Sequence, residues 1–353
     1  MTTVTMSRGT FPLYLLVLVA GVAFFEYAGL TAGRGALLMT LVFWTTLLQG
    51  AIAAAAVADL VGARWITVLR RELLAAYPLL LVPPVLLVLL IPRLDLYPWA
   101  EAPGQWLNEP FFLLRNLALL LTVYGTGRLY ARRSLRGDAR TASSAVIYLF
   151  AFVAAQTLVA FDLVMSLEYP WISTLLGAYF FVEALYAGLA LAAVLCFLLP
   201  QRRRESRPAA ETSPRWDIGL LLFGFSILWG GLFFAQYLLL WYGNLPEEVH
   251  FIARRLESFP TLALGVLFLA ANFFTPFLVL LGRRAKRSAL VVGAVAGIVL
   301  AGLFAERLFF VFPAVPLPVG VLLAQNLLLL AFWLLTVHSR ENLLPAAPAS
   351  GGE

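Results

Sequence analysis

The run Gln236-Tyr-Leu-Leu-Leu-Trp-Tyr-Gly-Asn-Leu-Pro-Glu-Glu248 carries an apolar helix straight into a polar turn loaded with carboxylates. Trp241 and Tyr242 stand where the apolar run stops, and amphipathic rings of this kind favour the headgroup level of a bilayer. Gly243, Asn244 and Pro246 then end the helix, holding Glu247 and Glu248 just outside the lipid. The stretch reads as the edge of a membrane span, and the whole composition agrees. Hydrophobic residues make up 62% of the 353 positions and charged residues only 12%, against the roughly 25% charged usage of soluble domains.

Ten apolar segments are expected, near residues 11–30, 38–62, 72–92, 110–131, 143–166, 172–199, 216–241, 258–281, 288–312 and 319–338. A helix of about 20 residues crosses ~30 Å of hydrocarbon, so the fold class is an all-α integral membrane protein with ten transmembrane helices. The first segment contains Glu26 and lacks a small-residue cleavage site, so it does not read as a cleaved signal peptide. Residues 1–340 form a single membrane domain, because the longest polar connection, about 200–215, is too short to bury a core of its own. Residues 341–353, rich in Pro and Gly, are expected to be disordered.

Orientation follows from the 25 Lys and Arg residues. Six fall on one side: Arg34, Arg93, Arg115, Arg254, Arg255 and Arg307. The other nineteen fall on the opposite side, in clusters such as Arg128 to Arg140 and Arg202 to Arg207. The positive-inside rule places both termini in the cytoplasm. The net charge of +6 is accounted for by this asymmetry, and lipids rather than nucleic acid are its expected partner.

Redox chemistry is tightly bounded. Cys196 is the sole cysteine and the histidines are two, His250 and His338. An iron–sulfur cluster takes about four ligands, and the two histidines fall at opposite membrane faces, so neither a cluster nor a bis-histidine haem is expected on this chain alone. Walker loops, nucleophile elbows, zincin motifs and dinucleotide fingerprints are absent from the sequence.

Ionisable groups inside a span cost about 2.5–3.5 kcal/mol each on insertion scales, which makes them functional candidates. Glu26, Asp162, Glu183 and Glu306 are the four. Tyr179 and Tyr186 flank Glu183 at i−4 and i+3, on one helical face, and that face is suited to relaying protons or hydrogen-bonding a quinone. A second expectation links Glu183 to Asp162 through Tyr179 or water, so that both belong to one proton route. The structural alternatives are a buried interhelical hydrogen bond for Glu183, an ion pair with adjacent Arg307 for Glu306, solvation by headgroups for Glu26, and bracing of the turn at Met165-Ser166 for Asp162. Asn272 and Thr275 read as repairing the hydrogen bond lost at Pro276, and Pro83-Pro84 as a kink in the third helix. The outer loop from Trp241 and Tyr242 through Glu247, Glu248, Arg254 and Arg255 reads as a patterned docking surface.

Two tracts carry a family resemblance. The first is Phe161-Asp-Leu-Val-Met-Ser-Leu-Glu-Tyr-Pro-Trp171, continuing through Ser173-Thr174 and Gly177-Ala-Tyr179. It resembles the NrfD-like membrane subunits of alternative complex III, the bacterial quinol:cytochrome c or quinol:electron acceptor oxidoreductase. The second, Phe234 to Glu248 with Arg254-Arg255, Pro276-Phe277 and Arg283 to Arg287, is similar to the smaller of the two such subunits, the ActF type. Leu163 stands where the pattern has Trp, and Tyr169 separates Glu168 from Pro170. The resemblance implies two four-helix bundles, about 38–166 and 172–312, with two peripheral helices. It also implies a bacterial cytoplasmic membrane and a set of partners: a larger homologous NrfD-like subunit, an iron–sulfur protein related to molybdopterin oxidoreductases, and multihaem and monohaem cytochromes c. Haem c and iron–sulfur clusters would then lie on those partners, with quinone the one cofactor this chain could help to line. The expected function is a subunit of a respiratory or photosynthetic quinol oxidoreductase that supports proton translocation and has no redox centre of its own. A secondary transporter and a purely structural anchor are the alternatives.

Overall fold

The computed structural model describes residues 5–28, 34–198 and 214–345. Helix α1 (Phe11–Tyr27) begins with Pro12 in its first turn and is followed by α2 (Ala36–Leu60). Helix α2 is apolar all round and buried on nearly every side, the pattern of a helix at the centre of a molecule. The third apolar segment is one helical stretch that changes its winding on the way. Helix α3 (Ile66–Leu74) passes through a 3₁₀ stretch, Tyr77–Leu81, into α4 (Val82–Leu90), with Pro83 and Pro84 in the first turn of α4. A proline there needs no N–H partner, so the prolines start a helix and the change of winding lies before them.

Helix α5 (Glu109–Arg136) is capped by the side chain of Asn108 and ends on Gly137 at φ 68°, a left-handed position that glycine takes without strain. Helix α6 (Thr141–Leu158) continues through a π turn, Val159–Val164, and a 3₁₀ turn to Glu168. Then come α7 (Leu175–Leu198), α8 (Pro214–Gly243) and a short amphipathic helix, α9 (Pro246–Glu257). Helix α10 (Phe259–Leu269) likewise runs through a π turn, Ala270–Phe274, into α11 (Thr275–Val279). The chain closes with α12 (Arg283–Arg287), α13 (Ala289–Val311), α14 (Val319–His338) and α15 (Arg340–Leu343).

Eight stretches are long and apolar enough to cross a bilayer: Ala36–Leu60, Ile66–Leu96, Thr141–Glu168, Leu175–Leu198, Pro214–Gly243, Phe259–Val279, Ala289–Val311 and Val319–His338. The protein is thus all-helical among the described residues and has the make-up of a multi-pass membrane protein. The other two expected spans fall on α1, which is 17 residues long, and on α5, whose 28 residues include Arg115, Arg128, Arg132, Arg133 and Arg136.

At the centre α2 packs against α7 so closely that side chains are excluded. A Cβ on Gly50 would lie 1.8 Å from the Ala184 carbonyl oxygen, and one on Gly188 would lie 2.1 Å from the Gly50 oxygen. The two ends of the chain meet on one face. The Met6 amide donates to Ser339 Oγ at 2.8 Å, and Arg8 Nε to the Leu343 oxygen at 2.9 Å. Glu341 takes a hydrogen bond from Arg71 at 2.9 Å, and Arg71 also reaches the Pro345 oxygen at 3.2 Å. The first residues of the tail read as disordered, 341–345, therefore pack on the body. Residues 346–353 lie outside the described residues, as does most of the 200–215 connection with Arg202, Arg203, Arg204 and Arg207.

Candidate functional site

The four carboxyls singled out in the spans fall into three buried sites between the helices, each with an arginine in it. The most enclosed joins α7 to α13. Tyr179, Glu183 and Tyr186 share the face of α7 that their spacing predicts, and all three are buried. Arg307 on α13 donates from Nη2 to Glu183 Oε2, while its guanidinium stacks over Phe180 with 3.7 Å from Cζ to the ring centroid. Glu306, next to Arg307 in sequence, takes different partners: the Tyr179 hydroxyl donates to Oε1, and Asn272 Nδ2 donates to Oε2 at 3.2 Å. Glu183, Glu306 and Arg307 are each 0% exposed. The expected ion pair between Glu306 and Arg307 is thus replaced by a pair between Arg307 and Glu183. Neighbouring residues on a helix point about 100° apart and cannot face each other.

The π turn of α10 brings Asn272 to this cluster. Gly302 on α13 makes the room, since a Cβ there would sit 2.2 Å from Asn272 Oδ1. The Asn272 carbonyl would ordinarily accept from the amide of residue 276, but that residue is Pro276 and has no N–H. Tyr186 Oη donates to the Asn272 oxygen instead, at 3.0 Å. The proline is repaired by α7, and the Asn272 side chain is left for Glu306; Thr275 begins α11.

The second site holds Asp162, in the π turn of α6. Arg115 Nε and Asn116 Nδ2 each donate to Asp162 Oδ2 at 2.6 Å. The aromatic rings of Trp106 and Phe111 lie beside the Arg115 guanidinium. Asp162 is therefore clamped to α5, and its backbone oxygen rather than its carboxylate accepts from Ser166 at the following turn. Tyr179, expected to link Asp162 with Glu183, bonds Glu306 instead.

Glu26 forms the third site. It is 6% exposed, so the alternative of solvation by headgroups gives way to a buried position. Gln325 Nε2 donates to Glu26 Oε2 at 2.9 Å, and Arg93 Nε lies 3.4 Å from Oε1. Gln325 accepts in turn from Thr40 Oγ1 at 3.0 Å. This network ties α1 and α14 to α2.

The expected docking surface divides. Trp241 and Tyr242 are 65% and 85% exposed, as an interfacial pair should be. Residues read as a loop form α9, with Pro246 in its first turn. Arg255 faces inward and is 0% exposed. It donates to the Phe309 and Phe310 oxygens at 3.1 and 2.9 Å and to Glu168 Oε1 at 3.0 Å. Burial pushes its guanidinium down to about 10, opposed by the Glu168 carboxylate, so it stays charged at neutral pH. Arg254 lies 3.4 Å from Glu168 Oε2, Glu248 is half-buried, and the Glu247 side chain lies outside the described residues.

Several members of these sites were not singled out by the sequence: Arg93, Arg115, Asn116 and Gln325, while Arg307 was named as a counter-ion but for Glu306 rather than Glu183. The signal was present in the six arginines on the sparsely charged side. Each pairs with a carboxylate: Arg34 with Asp95, Arg93 with Glu26, Arg115 with Asp162, Arg254 and Arg255 with Glu168, and Arg307 with Glu183.

A cluster of two carboxyls and one guanidinium wholly removed from water is neutral only if one proton resides on the carboxyl pair, and burying a net charge is far costlier than holding that proton. Glu183 Oε1, Asn272 Oδ1, Arg307 Nη1 and Trp229 Nε1 are buried and make no hydrogen bond among the described residues. The arrangement can therefore store one proton on its carboxyl pair, with the Tyr179 hydroxyl bonded to one of the two carboxyls. Neither a protein-family model nor a curated protein matches the chain.

Proposed function

We propose that this chain is the proton-handling membrane subunit of a quinol:electron acceptor oxidoreductase of the alternative complex III type. The observation that carries the reading is the sealed cluster of Glu183, Glu306 and Arg307, with two carboxyls against one guanidinium. A group that must hold a proton to be neutral, buried at membrane depth, is suited to moving protons and poorly suited to a scaffold. The residue content agrees, because a chain with one Cys and two His leaves electron carriage to partners. Likeness of the two sequence tracts supplies the identity of those partners: a larger NrfD-like subunit, an iron–sulfur protein and cytochromes c.

In this reading the chain has ten spans in two four-helix bundles plus two peripheral helices, sits in a bacterial cytoplasmic membrane, and has the face on which its ends meet toward the cytoplasm. Quinone chemistry does not fit the cluster itself. Its members are fully enclosed and bonded to one another, so a quinone ring has no room beside them, and no step at this site runs through one.

Copurification tests the assignment. A tagged chain isolated under mild detergent should bring haem-staining cytochromes c with it, while the chain purified alone should be colourless. Recovery of an intact, active single polypeptide, or of stoichiometric haem in it, would overturn the reading. The role of the cluster is tested separately, by protons moved per electron in reconstituted complex carrying Glu306→Gln.

A further inference from the structure

A cavity of about 380 Å³ opens between α2, α7 and α8, within the about 300–1,000 Å³ typical of small-molecule sites. Its walls are apolar, built by Val57, Leu189, Leu221 and Phe225, and its rim carries Arg64, Trp65 and Asp217. Arg64 lies in the turn between α2 and α3, and Asp217 in the first turn of α8. This is the face where the chain ends meet, since Arg71 on α3 bonds Glu341 and Pro345. Arg64 and Asp217 line the same cavity, yet no ion pair within 4.0 Å joins them among the described residues. The rim thus presents one cation and one anion at the mouth of a hydrocarbon-like slot.

We infer that this slot binds one phospholipid with an aminoethyl headgroup, phosphatidylethanolamine, its phosphate on Arg64, its ammonium on Asp217 and an acyl chain along Leu189, Leu221 and Phe225. Charge complementarity selects this occupant. A phosphate suits a guanidinium through paired hydrogen bonds. An anionic lipid such as phosphatidylglycerol satisfies Arg64 but offers Asp217 only neutral hydroxyls, with no charge to balance the carboxylate. Phosphatidylcholine carries a cation without N–H, so it offers Asp217 charge but no hydrogen bond. Of the three headgroups, the primary ammonium alone brings Asp217 both a positive charge and N–H donors. The inference is independent of the buried acid cluster and stands or falls without it.

The test is native mass spectrometry of the delipidated full chain, titrated separately with dioleoyl phosphatidylethanolamine, phosphatidylcholine and phosphatidylglycerol. One tightly held phosphatidylethanolamine is expected, preferred over the other two by about tenfold, the scale of one charge-assisted hydrogen bond. Asp217→Asn should erase the preference while leaving phosphate binding, Arg64→Gln should weaken all three lipids about tenfold, and Leu221→Trp should fill the slot and remove the lipid. Arg64 is exposed and Asp217 half-buried, so these variants should keep the wild-type circular dichroism and melting. Equal binding of the three lipids by the wild type would overturn the inference, as would unchanged selectivity in well-folded Asp217→Asn. A prenylquinone recovered from the slot and lost in Leu221→Trp would also overturn it.

Discussion

At the scale of single residues, the buried cluster makes an unusual mutational pattern. Glu183→Gln leaves Glu306 to balance Arg307, and Glu306→Gln leaves Glu183 to do so. Either single change removes the exchangeable proton yet keeps the site neutral, so each should lower stability by only about 1 kcal/mol, the net worth of a hydrogen bond. The double change strands Arg307, and an uncompensated buried charge costs about 3–5 kcal/mol. Thermal unfolding of the four proteins in detergent checks this: the double variant should melt far below the sum of the singles. Additive melting shifts would show that Glu183 and Glu306 do not share the guanidinium. The sequence pointed to Glu183 and its two tyrosines because their spacing on α7 is a local property. It misplaced the partner of Arg307 because pairing between α7 and α13 is a tertiary fact, and adjacency along the chain is a misleading guide to it.

Elements show the same division. The amphipathic α9 could have been found from Pro246 and the apolar spacing of Val249, Ile252 and Leu256, but its crowded charges read as a loop. Its inward arginine closes the ends of α6 and α13 together. Arg255→Gln should therefore cost about 3–5 kcal/mol, while Arg254→Ala, at a half-exposed pair, should cost less than about 1 kcal/mol. Hydrogen exchange through α9 is the measurement, with rapid exchange expected only in Arg255→Gln. The π turn of α10 makes a second element-scale prediction. Tyr186→Phe takes away the donor to the Asn272 carbonyl and should cost about 1–3 kcal/mol. Adding Pro276→Ala restores an N–H to that turn and should return part of the loss, a coupling that a double-mutant cycle reads directly. Neither π turn was legible, since nothing in the apolar pattern distinguishes one inserted residue in a helix.

Over the whole molecule, the membrane class and the positions of the apolar stretches were legible because hydropathy is a sum over some twenty residues and is insensitive to packing. The seam between α2 and α7 was not, as a glycine in an apolar run has no unique reading. Gly188→Ala should destabilise at the upper end of the about 1–3 kcal/mol seen for overpacked cores, because the obstacle is the Gly50 carbonyl rather than a side chain that can turn aside. Gly297→Ala, with nothing within 4 Å of the added carbon, is the matched control and should melt near the wild type. The seam also has a mechanical meaning. Two backbones locked at touching distance midway along two apolar helices act as a weld: the parts on either side have no soft layer of side chains on which to pivot. The proton-handling role proposed above asks for no more than this: a stiff frame inside which a proton hops and single side groups turn.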